Sequence, residues 1–216
     1  METWPLQPVP VFPLPSIVLF PHVSIPLHIY ELRYRTMVRD ALSADRHVAM
    51  ALLKPGWERD YQDSPEFHEL VCLATIAEVE WLPDDCYQLR LRGLSRARVI
   101  RVEREFPYRT ARLEPLPQHP YPEDDPLVRL ERQAVFDAGR RMAGAMWGGI
   151  EEPAKLGLEA LANVACAFAP MDTPAKFALL AEDSVIERCR QVREWIERRL
   201  QSRGAQLPEQ GEGWNN

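Results

Sequence analysis

Excess basic charge, lysine, long apolar runs and paired cysteines are all scarce in this sequence, and each shortage removes a class of function. Nowhere do the roughly 18 consecutive apolar residues of a membrane helix occur. The opening METWPLQPVP has neither the basic segment nor the continuous apolar core of an export signal. A soluble, cytoplasmic chain is therefore expected, with no membrane contact. Net charge is −6 and its sign hardly varies: residues 1–118 carry 14 basic and 16 acidic side chains, residues 119–216 carry 12 and 16. Neither half has the basic excess of a nucleic-acid or anionic-membrane surface. The four cysteines, Cys72, Cys86, Cys166 and Cys189, lack C-x-x-C spacing and lie in apolar patterns, as reduced core residues do.

Catalytic signatures are missing too. There is no G-x-x-x-x-G-K-[ST] loop and no G-x-G-x-x-G, so nothing is arranged to cradle a nucleotide. A G-x-S-x-G elbow, an H-E-x-x-H pair and histidines at metal-ligand spacing are also lacking. His22, His28, His47, His68 and His119 are scattered over loops and strands. A Ser–Lys dyad would have to draw on Lys54, Lys155 or Lys176, none of which has the apolar setting that depresses a lysine pKa. The chain is expected to be no enzyme and to have no catalytic residue, cofactor or metal site.

Proline is plentiful: 20 residues, about double the usual ~5 %. The prolines cluster at positions 5–26 and 107–126 and punctuate the chain. Between Pro15 and Pro21, Ile17-Val18-Leu19-Phe20 reads as a short buried strand. Pro26 to Ile29 follows as a second extended piece. Tyr30, Tyr34, Met37, Val38, Ala41 and Leu42 then recur at helical spacing. Strands follow over 47–53, 70–81, 87–102 and 108–114. In the 87–102 strand Gly93 suggests a bulge or bend, and Ile100 shifts the alternation. Many short strands, one early helix and no βαβ rhythm predict a small mixed β-barrel with one embedded helix, spanning residues 1–117.

A Pro-rich connector at 118–125 leads into helices. Asp125 caps one that begins at Pro126, with Leu127, Leu130, Ala134, Ala138 and Ala145 as its apolar face and Gly148-Gly149 as its stop. A second covers 155–168, a short third starts at Thr173-Pro174, and Ser184-x-x-Glu187 is a capping box for the last. The class is thus α+β, with a helical bundle over 126–203 and a flexible tail at 204–216.

Two surface features bear on binding. The polar loop at 55–69 carries Trp57, Tyr61 and Phe67 among acidic residues and is long for a passive connection, which makes these three the candidate peptide-binding residues. The arginine series Arg90, Arg92, Arg96, Arg98, Arg101, Arg104, Arg109 and Arg112 reads as the solvated face of adjacent strands, with Glu103, Glu105 and Glu114 as partners. An RNA-binding surface is the alternative, but it lacks the interleaved exposed aromatics that stack bases.

Two stretches resemble a known family. Pro13-Leu14, Val18-Leu19-Phe20-Pro21, Pro26-Leu27, Glu31 and Arg33-Tyr34 follow the opening of the Lon protease amino-terminal, substrate-binding domain. Leu89 to Val99, LRLRGLSRARV, follows that domain's L-x-x-G-x-x-R strand pair, and Leu161–Ala165, Lys176–Leu180 and Arg188 follow its closing segment more loosely. The chain departs from the family at Asp84-Asp85-Cys86, where Asp-Gly is usual, and at Phe177, where glutamine is usual. The resemblance implies a PUA-like barrel followed by a helical bundle. It also implies a non-catalytic module that binds protein or unfolded polypeptide segments, as an adaptor in protein quality control. In Lon proteases this domain precedes ATPase and Ser–Lys protease modules, so a stand-alone form is expected here. The binding face would be the 55–69 loop or a cleft between barrel and bundle.

Overall fold

The computed structural model describes residues 4–61, 64–83, 85–143 and 155–204. The chain divides into two compact units, residues 1–120 with 170–184, and residues 121–169 with 185–216.

The first unit contains strands β1 (Val9–Leu14), β2 (Ser24–Ile29), β3 (His47–Leu53), β4 (Phe67–Trp81), β5 (Tyr87–Arg104) and β6 (Thr110–Pro115), with helices α1 (Leu32–Leu42) and α4 (Thr173–Ala181). The expected PUA-like small β-barrel is corrected. The strands form one mixed six-stranded sheet in the order β2-β5-β4-β3-β1-β6, with β2 paired to β5 alone. The sheet curls because β5 is long: its first part pairs with β2 and β4, and residues 97–104 pair with β6. Where β6 meets β1 only Val9–Ala111 and Pro10–Thr110 are in register, and Pro10 has no N–H to give. Among the described residues the one parallel pair is β1 with β3, joined through β2 and α1.

Alternation along these strands sorts the side chains. Val9, Val11, Ala49, Ala51, Val71, Leu73, Ala97, Val99, Ala111 and Leu113 form one buried cluster on the inside of the curl. Alanine and valine predominate there because facing strands come close. Register slips in β4–β5 beside Gly93 and in β5–β6 beside Ile100 give the bends that curling requires, and Ile100 is left 57 % exposed.

Ile17 to Phe20 is not a strand. Leu19 and Phe20 are buried, but the segment between Pro15 and Pro21 has no ladder partner and lies against the sheet. Gly93 makes room for it: a Cβ there would meet the Phe20 carbonyl oxygen at 2.2 Å. The Gly93 backbone in turn donates to Val23 O and accepts from His22 N–H, both at 2.9 Å. On α1 the buried stripe is Tyr34, Met37, Val38 and Ala41, while Tyr30 falls before the helix and is 65 % exposed.

Helix α4 packs with the sheet unit. Asp172 caps it, accepting from Ala175 N–H at 2.8 Å. Arg96, 2 % exposed, ties its far end down: Nη1 donates to Leu180 O and Glu182 O, and Nη2 to Pro117 O and Asp183 Oδ1. Arg109 is also buried, donating to Pro65 O and Ser64 Oγ. These two arginines therefore leave the solvated series. Arg90, Arg98, Arg101 and Arg112 remain on the surface with Glu78, Glu114 and Glu103.

The second unit holds α2 (Pro126–Ala143), α3 (Leu158–Phe168) and α5 (Val185–Gly204). Asp125 Oδ1 accepts from Leu127 N–H at 2.8 Å, as its capping position predicts. The buried face of α2 is Val128, Val135, Phe136 and Ala138; Leu127 and Leu130 are 73 % and 66 % exposed, so the expected stripe was rotated. Phe168 is likewise 44 % exposed. Val185, Cys189, Val192 and Ile196 of α5 are buried as expected, and Arg188, fully buried, donates to Asn163 Oδ1 of α3 at 2.7 Å. The Gly148-Gly149 stop and residues 205–216 of the expected tail lie outside the described residues.

Candidate protein-binding surface

Glu31 stands at the N-cap position of α1 with an extended backbone and no capping hydrogen bond, and its carboxylate reaches the 55–69 loop instead. It accepts from Arg33 Nε at 3.0 Å and from the Tyr61 hydroxyl at 2.7 Å. Arg33 Nη1 donates to Tyr61 O at 3.2 Å, and its guanidinium lies 4.6 Å from the Tyr34 ring centre and 5.1 Å from that of Tyr61. Trp57, in a 3-10 turn entered through Gly56 at φ +92°, meets Tyr61 edge-on with ring centres 5.5 Å apart. Glu31-x-Arg33-Tyr34 is thus a clamp on the loop.

The electrostatics of the clamp favour structure over chemistry. Desolvation pushes the Tyr34 phenol up to about 12, and desolvation followed by the Glu31 hydrogen bond raises Tyr61. Loss of water would lower Arg33, but Tyr34 and Glu31 beside it outweigh that and raise it. Each group is held further from neutral pH, the opposite of what a proton-transfer site needs. Among the described residues no group of three His, Cys, Asp or Glu could hold a metal ion.

Trp57 and Tyr61 are therefore brought together, and Phe67 is not. Phe67 opens β4, packs on the inner cluster and has the Arg109 guanidinium 5.1 Å from its ring.

A second apolar surface was not foreseen. Ile29, Tyr87 and Trp81 are in register across β2, β5 and β4, so they share one face of the sheet with Leu27, Leu89 and Val79. Toward this end the face is uncovered, with Trp81 71 % exposed; Tyr30 and Leu32, just beyond β2, are also 65 % and 70 % exposed, and Tyr30 stacks on His28 of the opposite face. Arg35 of α1 fixes the neighbouring turn by donating to Asp85 O at 2.8 Å and to its carboxylate. The signal available in the sequence was a tryptophan closing an alternating strand just before Leu82-Pro83.

A family model described as the ATP-dependent protease La (LON) substrate-binding domain matches residues 8–198. The chain belongs to that family. The matched region is the non-catalytic, substrate-binding part of Lon. Relatives include Lon protease 2 of Desulfotalea psychrophila, 26 % identical over 202 residues, covering 89 % of this chain and 25 % of that protein. Lon protease 2 of Sorangium cellulosum is 32 % identical over 138 residues, covering 62 % and 16 %. The chain thus spans a quarter or less of the length of these curated relatives. Two solved structures share the fold. The N-terminal domain of Mycobacterium avium complex Lon protease aligns with TM-score 0.69 at 17 % identity, over 88 % of this chain and 98 % of that one. A Lon N-terminal domain protein from Xanthomonas campestris aligns with TM-score 0.64 at 23 % identity, over 88 % and 99 %. In Lon-family terms, the motif residues Glu31, Arg33 and Tyr34 hold a loop in place, and the exposed aromatics lie outside the motif. No described helix is long and apolar enough to cross a membrane.

Proposed function

We propose that this domain binds segments of other proteins, unfolded ones included, through exposed apolar side chains. The observation that carries the reading is Trp81, left 71 % exposed on a sheet face that elsewhere forms core. With Val79 and Tyr87 on the same face it makes an apolar surface that water solvates poorly, and such patches mark interaction sites. Trp57 is proposed as a second contact, steadied by Tyr61. Phe67, already packed against core residues and under Arg109, supports the loop from within. The work of such a domain is recognition, as an adaptor or as the substrate-recognising part of a quality-control protease, and four cysteines held as thiols, not disulfides, fit a cytoplasmic setting.

Binding of the domain to arrayed peptides tests this, comparing wild type with Trp81→Ser and Trp57→Ala. Trp81→Ser is expected to weaken apolar-peptide binding by about tenfold or more. Unchanged binding in both variants removes these surfaces from the function. The RNA alternative loses two of its arginines to the interior, since Arg96 and Arg109 are spent on backbone carbonyls.

A further inference from the structure

We propose that the captured segment binds as an added strand on the free edge of β2. The inference rests on the protein-segment reading above and specifies its geometry. In an antiparallel pair, backbone groups of successive residues point alternately to the two sides. The bond from Gly93 N–H to Val23 O fixes the phase: the Val23 carbonyl and the backbone of residues 25, 27 and 29 turn toward β5, and Ser24, Pro26 and His28 turn theirs away. Among the described residues β2 ends the sheet order, and Ser24, Pro26 and His28 are all exposed. The outer edge therefore presents the N–H of Ser24 and His28 and the carbonyls of Ser24, Pro26 and His28, over about 14 Å. Groups at that two-residue spacing are matched by an extended polypeptide and by little else.

Pro26 sharpens this edge without closing it. Proline at an outward position is how sheets resist indiscriminate pairing, because the missing N–H interrupts a long ladder. What remains suits a short segment. Tyr30 and Leu32 continue past the end of β2, giving an apolar landing for side chains beyond the paired stretch. Residues of the added strand opposite Ile25 and Leu27 share the sheet face of Leu89 and Trp81, and those opposite Ser24, Pro26 and His28 make the hydrogen bonds. An amphipathic segment thus seats with its apolar residues inward and bonds through the backbone of its polar ones.

That phase relation is the test. A fluorescent peptide of alternating valine and threonine with lysine-capped ends is titrated onto the whole chain, beside two versions N-methylated either at the threonines or at the valines. Methylation at threonine is expected to weaken binding about tenfold or more, and at valine by no more than about twofold. Amide exchange at Ser24 and His28 should slow when the unmethylated peptide binds, a readout on the unaltered protein. Equal sensitivity at both positions, or no protection of Ser24 and His28, overturns the edge inference. If Trp81→Ser still abolishes binding in that case, capture by side chains stands without strand addition. Failure of the unmethylated peptide to bind overturns both.

Discussion

At the scale of single residues, the charged side chains inside the first unit are the informative ones. Arg96 looks from sequence like one more solvent-facing arginine on an alternating strand, yet it joins β5, the end of α4 and the segment after β6 through four acceptors. Arg96→Ala orphans three carbonyls and should cost about 3–5 kcal/mol in a urea titration, with Arg96→Lys between it and wild type, because an ammonium cannot span the same fork. His68 is a quieter case. Desolvation, then the nearby Lys54, lowers its pKa below the usual 6.5, and its ring lies 4.4 Å from that of Phe177 on α4. A depressed histidine pKa means that the unfolded chain takes up the proton more readily. The stability carried by neutral His68 is therefore present above about pH 6.5 and is lost as pH falls through the lower folded value. Thermal melts of wild type and His68→Gln across about pH 7.5 to 5 should converge as pH falls. Alternation could not show either residue's role, since it records which face a side chain takes but not what a distant segment lays over that face.

At the scale of elements, local chemistry was a good guide wherever backbone preference decided the outcome. α1, β3, the capped start of α2 and the paired strands β4 and β5 all stand where periodicity and capping place them. The failures are segments whose partner is remote. Ile17–Phe20 has strand composition and flanking prolines but lies across the sheet, at a spot that exists because residue 93 has no side chain. Gly93→Ala should cost roughly 2–3 kcal/mol, and more if Phe20 cannot shift, as measured by chemical denaturation. The apolar face of α2 was displaced because Leu127 and Leu130 fit a helical stripe as well as Val128 and Val135 do. Leu130→Gln should change stability by less than about 0.5 kcal/mol, whereas Val135→Ala should cost about 1 kcal/mol or more in the same assay.

At the scale of the whole molecule, the candidate binding surface depends on strands ending at different places. Trp81 is exposed because the paired ends of β4 and β5 run beyond the buried core residues Ile76, Leu89 and Leu91, so core alternation continues onto an open face. Trp81→Ser should then leave the melting temperature nearly unchanged while reducing peptide capture, and calorimetry beside the binding titration separates the two effects. The candidate site was only partly legible. The 55–69 loop carried its aromatics in plain view, and Trp57 and Tyr61 do meet, but Phe67 turns to the core because it already belongs to β4. By itself the sequence determined the α+β class, most of the elements and, through the proline-flanked opening and Glu31-x-Arg33-Tyr34, the resemblance to the Lon substrate-binding domain. These are properties of short windows, where dihedral limits, capping and periodicity act between near neighbours. Only the tertiary structure decided that the sheet curls without closing as a barrel, that α4 belongs to it, that Arg96 is a buried tie, and which aromatics stay exposed. Each of those depends on contacts between residues far apart in the chain, whose energies no local window contains.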